Sequence, residues 1–220
     1  MSEPYMFLHI PGLEMYPHVT YTWVIMALLV ISSIVVGQAI KVVPIGMQNA
    51  FEAIIVTLAD FMDETIGHGG RKFLPLIGTL AFFILPANLM GLIPGCSSPT
   101  ANVNTNVALA LTVFVFYQGV GLRKHGLAYF KQFLGPVWWM IPLMLPIEII
   151  SHIARPITLA VRLFGNVKGE DLVILVLLFL VPLLLPLPMM AFAVFTSTLQ
   201  TLVFILLSMV YLAGALSDEH

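Results

Sequence analysis

Ile157-Thr158-Leu159-Ala160-Val161-Arg162-Leu163-Phe164-Gly165-Asn166 is the stretch on which the reading of this chain turns. It sets a guanidinium inside an apolar run of helical composition. An ionised side chain at the centre of a bilayer costs about 2.5–3.5 kcal/mol on insertion scales. Arginine cannot escape that cost by losing its proton, because its pKa lies above ~12. A permanent cation in such a segment requires an ion path or a charged partner.

The surroundings of Arg162 are those of a membrane protein. Of 220 residues, 60% are hydrophobic and only 9% are charged, and the mean hydropathy is +1.01. A span needs about 20 mostly apolar residues, and several stretches reach that length. The fold expected is therefore all-α and polytopic, a single integral membrane domain over residues 1–220. The formal net charge of −2 comes without a basic tract, so nothing suggests a nucleic-acid partner. One cysteine, Cys96, leaves no internal disulfide and no cysteine-based metal cluster. The start, Met1-Ser2-Glu3-Pro4-Tyr5, lacks a basic region before an apolar core, so no cleavable signal is expected.

Spans are expected at 19–40, 73–93, 103–121, within 137–180, and at 189–216. Residues 47–66 differ: Phe51, Ile54, Ile55, Leu58, Phe61 and Met62 share one helical face, while Glu52, Asp60, Asp63 and Glu64 take the other side. Two readings fit, a helix lying on the membrane surface and a helix packed on protein. Residues 67–72 read as a loop, and 181–188, with Pro182, Pro186 and Pro188, as a hairpin connection. Residues 137–180 as one helix would measure about 65 Å at 1.5 Å per residue. The hydrocarbon core is about 30 Å thick, so this segment must tilt strongly, bend at a proline, or break. A long tilted helical hairpin is thus expected at the C-terminal end. Lys41, Arg71, Lys72, Arg123, Lys124 and Lys131 fall on one side of a five-pass arrangement, and the loops at 94–102 and 181–188 carry no Lys or Arg. The positive-inside rule then puts the N-terminus outside and the C-terminus in the cytoplasm. No internal or inverted repeat is visible, against the pattern of many secondary transporters.

Glu148, His152, Arg155, Thr158, Arg162, Asn166 and Glu170 follow one another at spacings of three or four, within about 120° of a helical wheel. Lys168 and Asp171 point elsewhere. Such a stripe suits ion movement, because each polar group lowers the cost of an ion or water in the membrane. The alternative is a helix whose polar ends snorkel and satisfy one another. Thr196, Ser197, Thr198, Gln200 and Thr201 make a polar cluster in the last span. Hydroxyls can bond back to their own helix, but the Gln200 amide needs a partner across a helix interface. Asn88, Asn102, Asn104 and Asn106 gather near the other end of the middle spans. They either line a polar vestibule or belong to a solvated loop and a helix cap.

These motifs resemble subunit a of bacterial F-type ATP synthases, over nearly the whole chain. The likeness rests on Asn88-Leu89-Met90-Gly91-Leu92-Ile93-Pro94-Gly95, Pro99-Thr100-Ala101-Asn102-Val103-Asn104, Pro146-Ile147-Glu148, Arg162-Leu163-Phe164-Gly165-Asn166, Thr198-Leu199-Gln200 and Val210-Tyr211-Leu212. The resemblance implies a non-catalytic, ion-translocating stator subunit without an ATP site, cofactor or metal. Its partners would be a rotating ring of c subunits, the b subunits of the peripheral stalk, other synthase subunits and lipid, in the bacterial inner membrane. Arg162 would be the essential residue facing the ring carboxylate, with Gln200 beside it. By this resemblance Glu148 matches a carboxylate of the cytoplasmic half-channel, and Asn166 and Asp171 match polar positions of the half-channel from the other side, with His152, Glu170, Asn102 and Asn104 as further half-channel candidates. The chain departs from the family pattern at Asn102, where many members carry Asp, at Ala193, where some carry His, and at Lys168. The competing reading is a ring-independent transporter or channel that binds an anion at Arg162. A haem-bearing redox subunit would want paired histidines within its spans, and only His152 falls in an expected span.

Overall fold

The computed structural model describes residues 17–38, 40, 46–67, 69–93, 95–126, 141–180 and 186–217. These form six α-helices: α1 (Pro17–Gln38), α2 (Met47–Ile66), α3 (Leu74–Met90), α4 (Val103–His125), α5 (Ile141–Leu180) and α6 (Pro186–Leu216). Short 3-10 turns at Gly70–Phe73 and Pro99–Ala101 lead into α3 and α4. Among the described residues, the segments 17–38, 70–90, 103–125 and 186–216 are helical, long and apolar enough to cross a membrane. The 40-residue α5 is the longest helix, but it is interrupted by charge. It runs on through Pro146 and Pro156 without a break, one of the three outcomes the sequence leaves open. At about 60 Å it is twice the thickness of the hydrocarbon core and must cross obliquely.

The interior is shared by α3 to α6. Leu80 and Ile84 of α3, Ala110, Val113 and Tyr117 of α4, Leu159, Ala160 and Leu163 of α5, and Phe204 and Leu212 of α6 form one buried cluster. In lipid there is little hydrophobic drive between helices, so close packing of surfaces with small residues such as Ala110 and Ala160 does the holding. α1 buries only Thr20, Tyr21 and Ile25, and exposes Trp23, Leu28, Ile31 and Ile34. A helix apolar on every side, with so little buried on protein, suits lipid.

The amphipathic segment forms a helix with the expected bounds. Leu58 and Met62 pack with Ile77 and Ala81 of α3 and Ile205 and Met209 of α6, and Phe51 stacks on Phe82 at 5.0 Å. Ile54 and Ile55 remain 41% and 40% exposed, and Glu52, Asp60, Asp63 and Glu64 are exposed. Part of the apolar face is thus satisfied within the chain, and an apolar edge is left over. The stretch read as a loop at 67–72 is partly a 3-10 turn. Gly69 sits at φ 106°, a left-handed conformation that favours glycine, and Arg71 Nη2 lies 2.7 Å from Asp63 Oδ2. The last span begins at Pro186 instead of 189; proline is tolerated in the first helical turn, where its missing N–H costs nothing. The hairpin connection at 181–185, Lys41 and Lys131 lie outside the described residues.

The two ends of the bundle differ in charge. Lys124 Nζ donates to the Leu216 carbonyl at 2.5 Å, so the C-terminal ends of α4 and α6 meet. The first turns of α3, just after Arg71 and Lys72, pack on the same part of α6. Arg71, Lys72, Arg123 and Lys124 therefore share one end. The other end is closed by residues 95–102, which carry no Lys or Arg. Exposed Asn104 and exposed Arg123 mark the two ends, whereas Ser98, at 2% exposure, is sealed. Single cysteines at 104 and 123 should react with a membrane-impermeant maleimide from opposite sides of the vesicle. Labelling of both from one side would contradict this arrangement.

Candidate functional site

Two contacts fix α5 against α6. The Arg155 guanidinium stands over the Tyr211 ring at 5.4 Å, and Glu170 accepts a hydrogen bond from Thr196. Arg155 to Glu170 and Thr196 to Tyr211 are both steps of 15 residues, so the helices run antiparallel in constant register. Arg162 is then level with Phe204, and Gln200 with Asn166, one turn away from Arg162. Arg155 accordingly does not snorkel freely; an aromatic face holds it.

Arg162 lies on the exposed face of α5, between exposed Val161 and Gly165, while Leu159, Ala160 and Leu163 turn to the core. No side chain among the described residues hydrogen-bonds or ion-pairs with it. Ile157 and Val161 beside it are 55% and 57% exposed. The polar stripe read from the sequence is therefore not uniform. His152 is buried, Thr158 is exposed and bonds back to the Ala154 carbonyl at 2.9 Å, and Arg162 faces outward.

Toward the loop end, Glu170 is the centre of a polar cluster. Its Oε1 accepts from Asn166 Nδ2 at 2.9 Å and from Thr196 Oγ1, and its Oε2 from Ser197 Oγ at 3.4 Å. Asp171 lies beside residues 91–98: a Cβ built on Gly91 would meet Asp171 Oδ1 at 3.6 Å and Ser98 Cβ at 2.9 Å. Gly91 is needed for that approach. The cluster continues into the bundle. Asn88 Nδ2 donates to Thr201 Oγ1 at 3.2 Å and to the Ser197 carbonyl at 3.4 Å, and Asn88 Oδ1 accepts from Thr100 Oγ1 at 2.7 Å. Thr100 Oγ1 is 2.8 Å from Ser98 Oγ, and Asn106 Nδ2 donates to the Thr100 carbonyl at 2.7 Å. A hydrogen-bonded line thus runs from Ser98 through Thr100, Asn88 and Ser197 to Glu170 and Asn166, across four segments of chain.

The four asparagines separate into two kinds. Asn88 and Asn106, at 3% and 0% exposure, are internal fasteners and line no open vestibule. Asn102 caps α4 by accepting from the Asn104 N–H at 2.9 Å, and Asn104 is exposed. Gln200 is 8% exposed and its Nε2 has no acceptor among the described residues. Buried donors without a partner are uncommon and costly, so this amide marks a place for water or an ion-path group. Toward the basic end, His152 Nδ1 is 3.3 Å from Glu148 Oε1 and 3.1 Å from the Glu148 carbonyl. His152 and Glu148 sit 10 and 14 residues before Arg162, about 15 and 21 Å along the helix, and Glu170 eight residues after it, about 12 Å. Among the described residues no three His, Cys, Asp or Glu come together as a metal site.

The ATP synthase A chain family model matches residues 19–213. The chain belongs to this family. ATP synthase subunit a 1 of Syntrophotalea carbinolica is 50% identical over 234 residues, covering all of both chains. Subunit a of Geobacter sulfurreducens is 48% identical over 202 residues, 92% of this chain and 88% of the relative. That of Geotalea uraniireducens is 46% identical over 229 residues, again covering both chains. The chain is thus an all-helical membrane protein of the ATP synthase stator, serving ion transport and ATP synthesis. The sequence motifs led to Glu148, Arg162, Asn166, Glu170 and Gln200. They did not lead to Ser98 or Thr100 as inner partners, since hydroxyls in a Pro- and Gly-rich stretch read as solvated loop.

The register of α5 and α6 is directly testable. The Asn166→Cys/Gln200→Cys pair should oxidise to a disulfide in the assembled complex, faster than Arg162→Cys/Gln200→Cys. The reverse order would shift the helices by a turn. Asn88→Ala, which strips three internal hydrogen bonds, should lower stability by about 2 kcal/mol in a detergent-unfolding assay.

Proposed function

We propose that the chain conducts protons along two offset half-channels against a rotating ring of c subunits, coupling transmembrane flow to ATP synthesis or hydrolysis. The observation that carries this reading is Arg162. It is exposed in an apolar surface with no anion from the described chain beside it. A cation so placed is stable in lipid only if another subunit brings the negative charge, and a ring carboxylate is such a charge.

The polar groups on either side support two separate paths. The loop-end cluster of Asn166, Glu170 and Asp171, backed by the Asn88 line, forms the outer half-channel. Its ionisable groups reach Arg162 within about three helical turns. Ala193, fully buried, contributes no titratable group; Glu170, gripped by Thr196, Ser197 and Asn166, fills that role. Asn102 and Asn104 stand at the mouth. Glu148 and His152 form the cytoplasmic half-channel. Gln200 offers its free Nε2 donor next to the level of Arg162.

A proton entering the outer path neutralises a ring carboxylate, which can then travel through lipid. On return the carboxylate meets Arg162. The fixed positive charge favours its ionised form, and the proton leaves through His152 and Glu148. The same charge repels a proton that would cross from one path directly to the other. A potential of about 100 mV is worth ~2.3 kcal/mol per charge, so several protons must pass for each ATP. The residues work as one membrane domain over 1–220, in a bacterial inner membrane, with the N-terminus outside and the C-terminus in the cytoplasm. The c ring, the b subunits and the other synthase subunits are its partners.

The test is ATP synthesis and proton flux in vesicles holding the reconstituted complex. Arg162→Ala should abolish coupled synthesis and leave an uncoupled leak, because neutral ring sites can slide past. Arg162→Lys should work weakly or fail, since a buried lysine can shed its proton and lacks the planar fork. Coupled synthesis by the Ala variant, or transport by the chain alone without a ring, would overturn the proposal.

A further inference from the structure

Among the described residues at the loop end, one histidine is not used by the proposed pathway. His18 lies in the first turn of α1, half-buried, and its Nδ1 is 3.2 Å from Asn102 Nδ2. The direction of that bond follows from the cap. Asn102 Oδ1 is committed to the Asn104 N–H, so the amide turns its NH2 toward the ring. An NH2 group only donates, so Nδ1 must accept, and the neutral ring carries its proton on Nε2. A proton arriving at Nδ1 would put donor against donor and release the ring from Asn102.

The chain needs such a group there. Asn88, Ser98, Thr100 and Asn102 are amides and hydroxyls, which pass hydrogen bonds along but do not hold a net proton near neutral pH. Imidazole is the side chain suited to take up and give back a proton between pH 5 and 8. The segment 95–102 is touched from two sides. On one side Tyr21 Oη donates to the Gly95 carbonyl at 3.1 Å and His18 meets Asn102; on the other, Ser98 and Gly91 adjoin Asp171. Among the described residues, the titratable groups of the elements around His18 are Tyr21 on its own helix, Cys96 in the loop and, across the loop, Asp171 with Glu170 and Lys168 beside it. α3 and the Pro99–Ala101 turn bring none.

We propose that His18 is the proton-relaying residue at the outer mouth, passing protons across the 95–102 segment to the Asp171 and Glu170 carboxylates. This rests on the two-path reading above. Bulk water gives a proton to Nδ1, forming the imidazolium and breaking the Asn102 contact. The imidazolium then gives one proton through intervening water to a carboxylate, and the neutral ring returns to Asn102. His18 gains and loses one proton per cycle.

The experiment uses the complete synthase in vesicles, with a potassium-diffusion potential and a fixed pH on the nucleotide side. ATP synthesis is read as the pH on the other side is varied. His18→Asn keeps a hydrogen bond to Asn102 but cannot titrate. It should slow synthesis by about tenfold or more and flatten the dependence on outer pH. His18→Asp restores a titratable group and should recover coupled synthesis, with its profile displaced to lower pH. An unchanged profile in His18→Asn, with Arg162→Ala inactive, would overturn the relay and leave the two-path reading standing. Equal impairment of the Asn and Asp variants, with less assembled complex, would also overturn it, by assigning His18 a structural role. Activity in Arg162→Ala would bring down the underlying reading itself.

Discussion

A guanidinium held at membrane depth without an internal counter-ion is the constraint on which the other features depend. Every cheaper arrangement is open to this fold, since Glu148, Glu170 and Asp171 lie on the same helix as Arg162. None of them pairs with it. Glu170 is taken by Thr196, Ser197 and Asn166, and Glu148 by His152. The carboxylates are kept apart from the cation by the helix geometry that also keeps the two polar clusters apart. A chain that neutralised Arg162 internally would need no partner, and would have no reason to leave it on an exposed apolar face.

The scaffold explains how that separation is kept. α5 and α6 stay in register across four turns, tied by the Arg155–Tyr211 stack at one end and the Glu170 hydrogen bonds at the other. Between these ties Leu159, Ala160 and Leu163 pack with Phe204. These side chains back Arg162 with apolar surface, while Gln200 and Thr201 stand buried about one turn along. The Asn88–Thr100 fasteners then hold the 95–102 segment against α6, which keeps Asp171 close to the loop end.

Much of this was legible in the sequence, for identifiable reasons. The 47–66 helix was legible because its apolar residues recur at helical spacing. Its packing on α3 and α6 was not, because the same face suits lipid or protein equally. Arg162 stood out because charge is so rare around it. The continuity of α5 through Pro146 and Pro156 could not be read, since a proline in a membrane helix either bends it or is absorbed by its neighbours. The sequence leaves Asn88 open between a polar vestibule and a solvated loop and cap, and it is neither. Its partners Ser197 and Thr201 lie more than a hundred residues away, and spacing along a chain carries no sign of such a pairing. His18 passed unnoticed for the same reason: alone in a short N-terminal stretch it has no meaning until Asn102 is brought beside it.

The central claim is that the counter-charge to Arg162 comes from the ring. Zero-length or disulfide crosslinking from position 161, exposed beside Arg162, to ring positions flanking the membrane carboxylate tests it most directly. The account predicts crosslinked products between this chain and a c subunit when Val161→Cys is oxidised in the working complex. Rotation should stop in proportion to the yield. Reaction of position 161 with lipid-borne probes alone, in a complex that still couples, would contradict it.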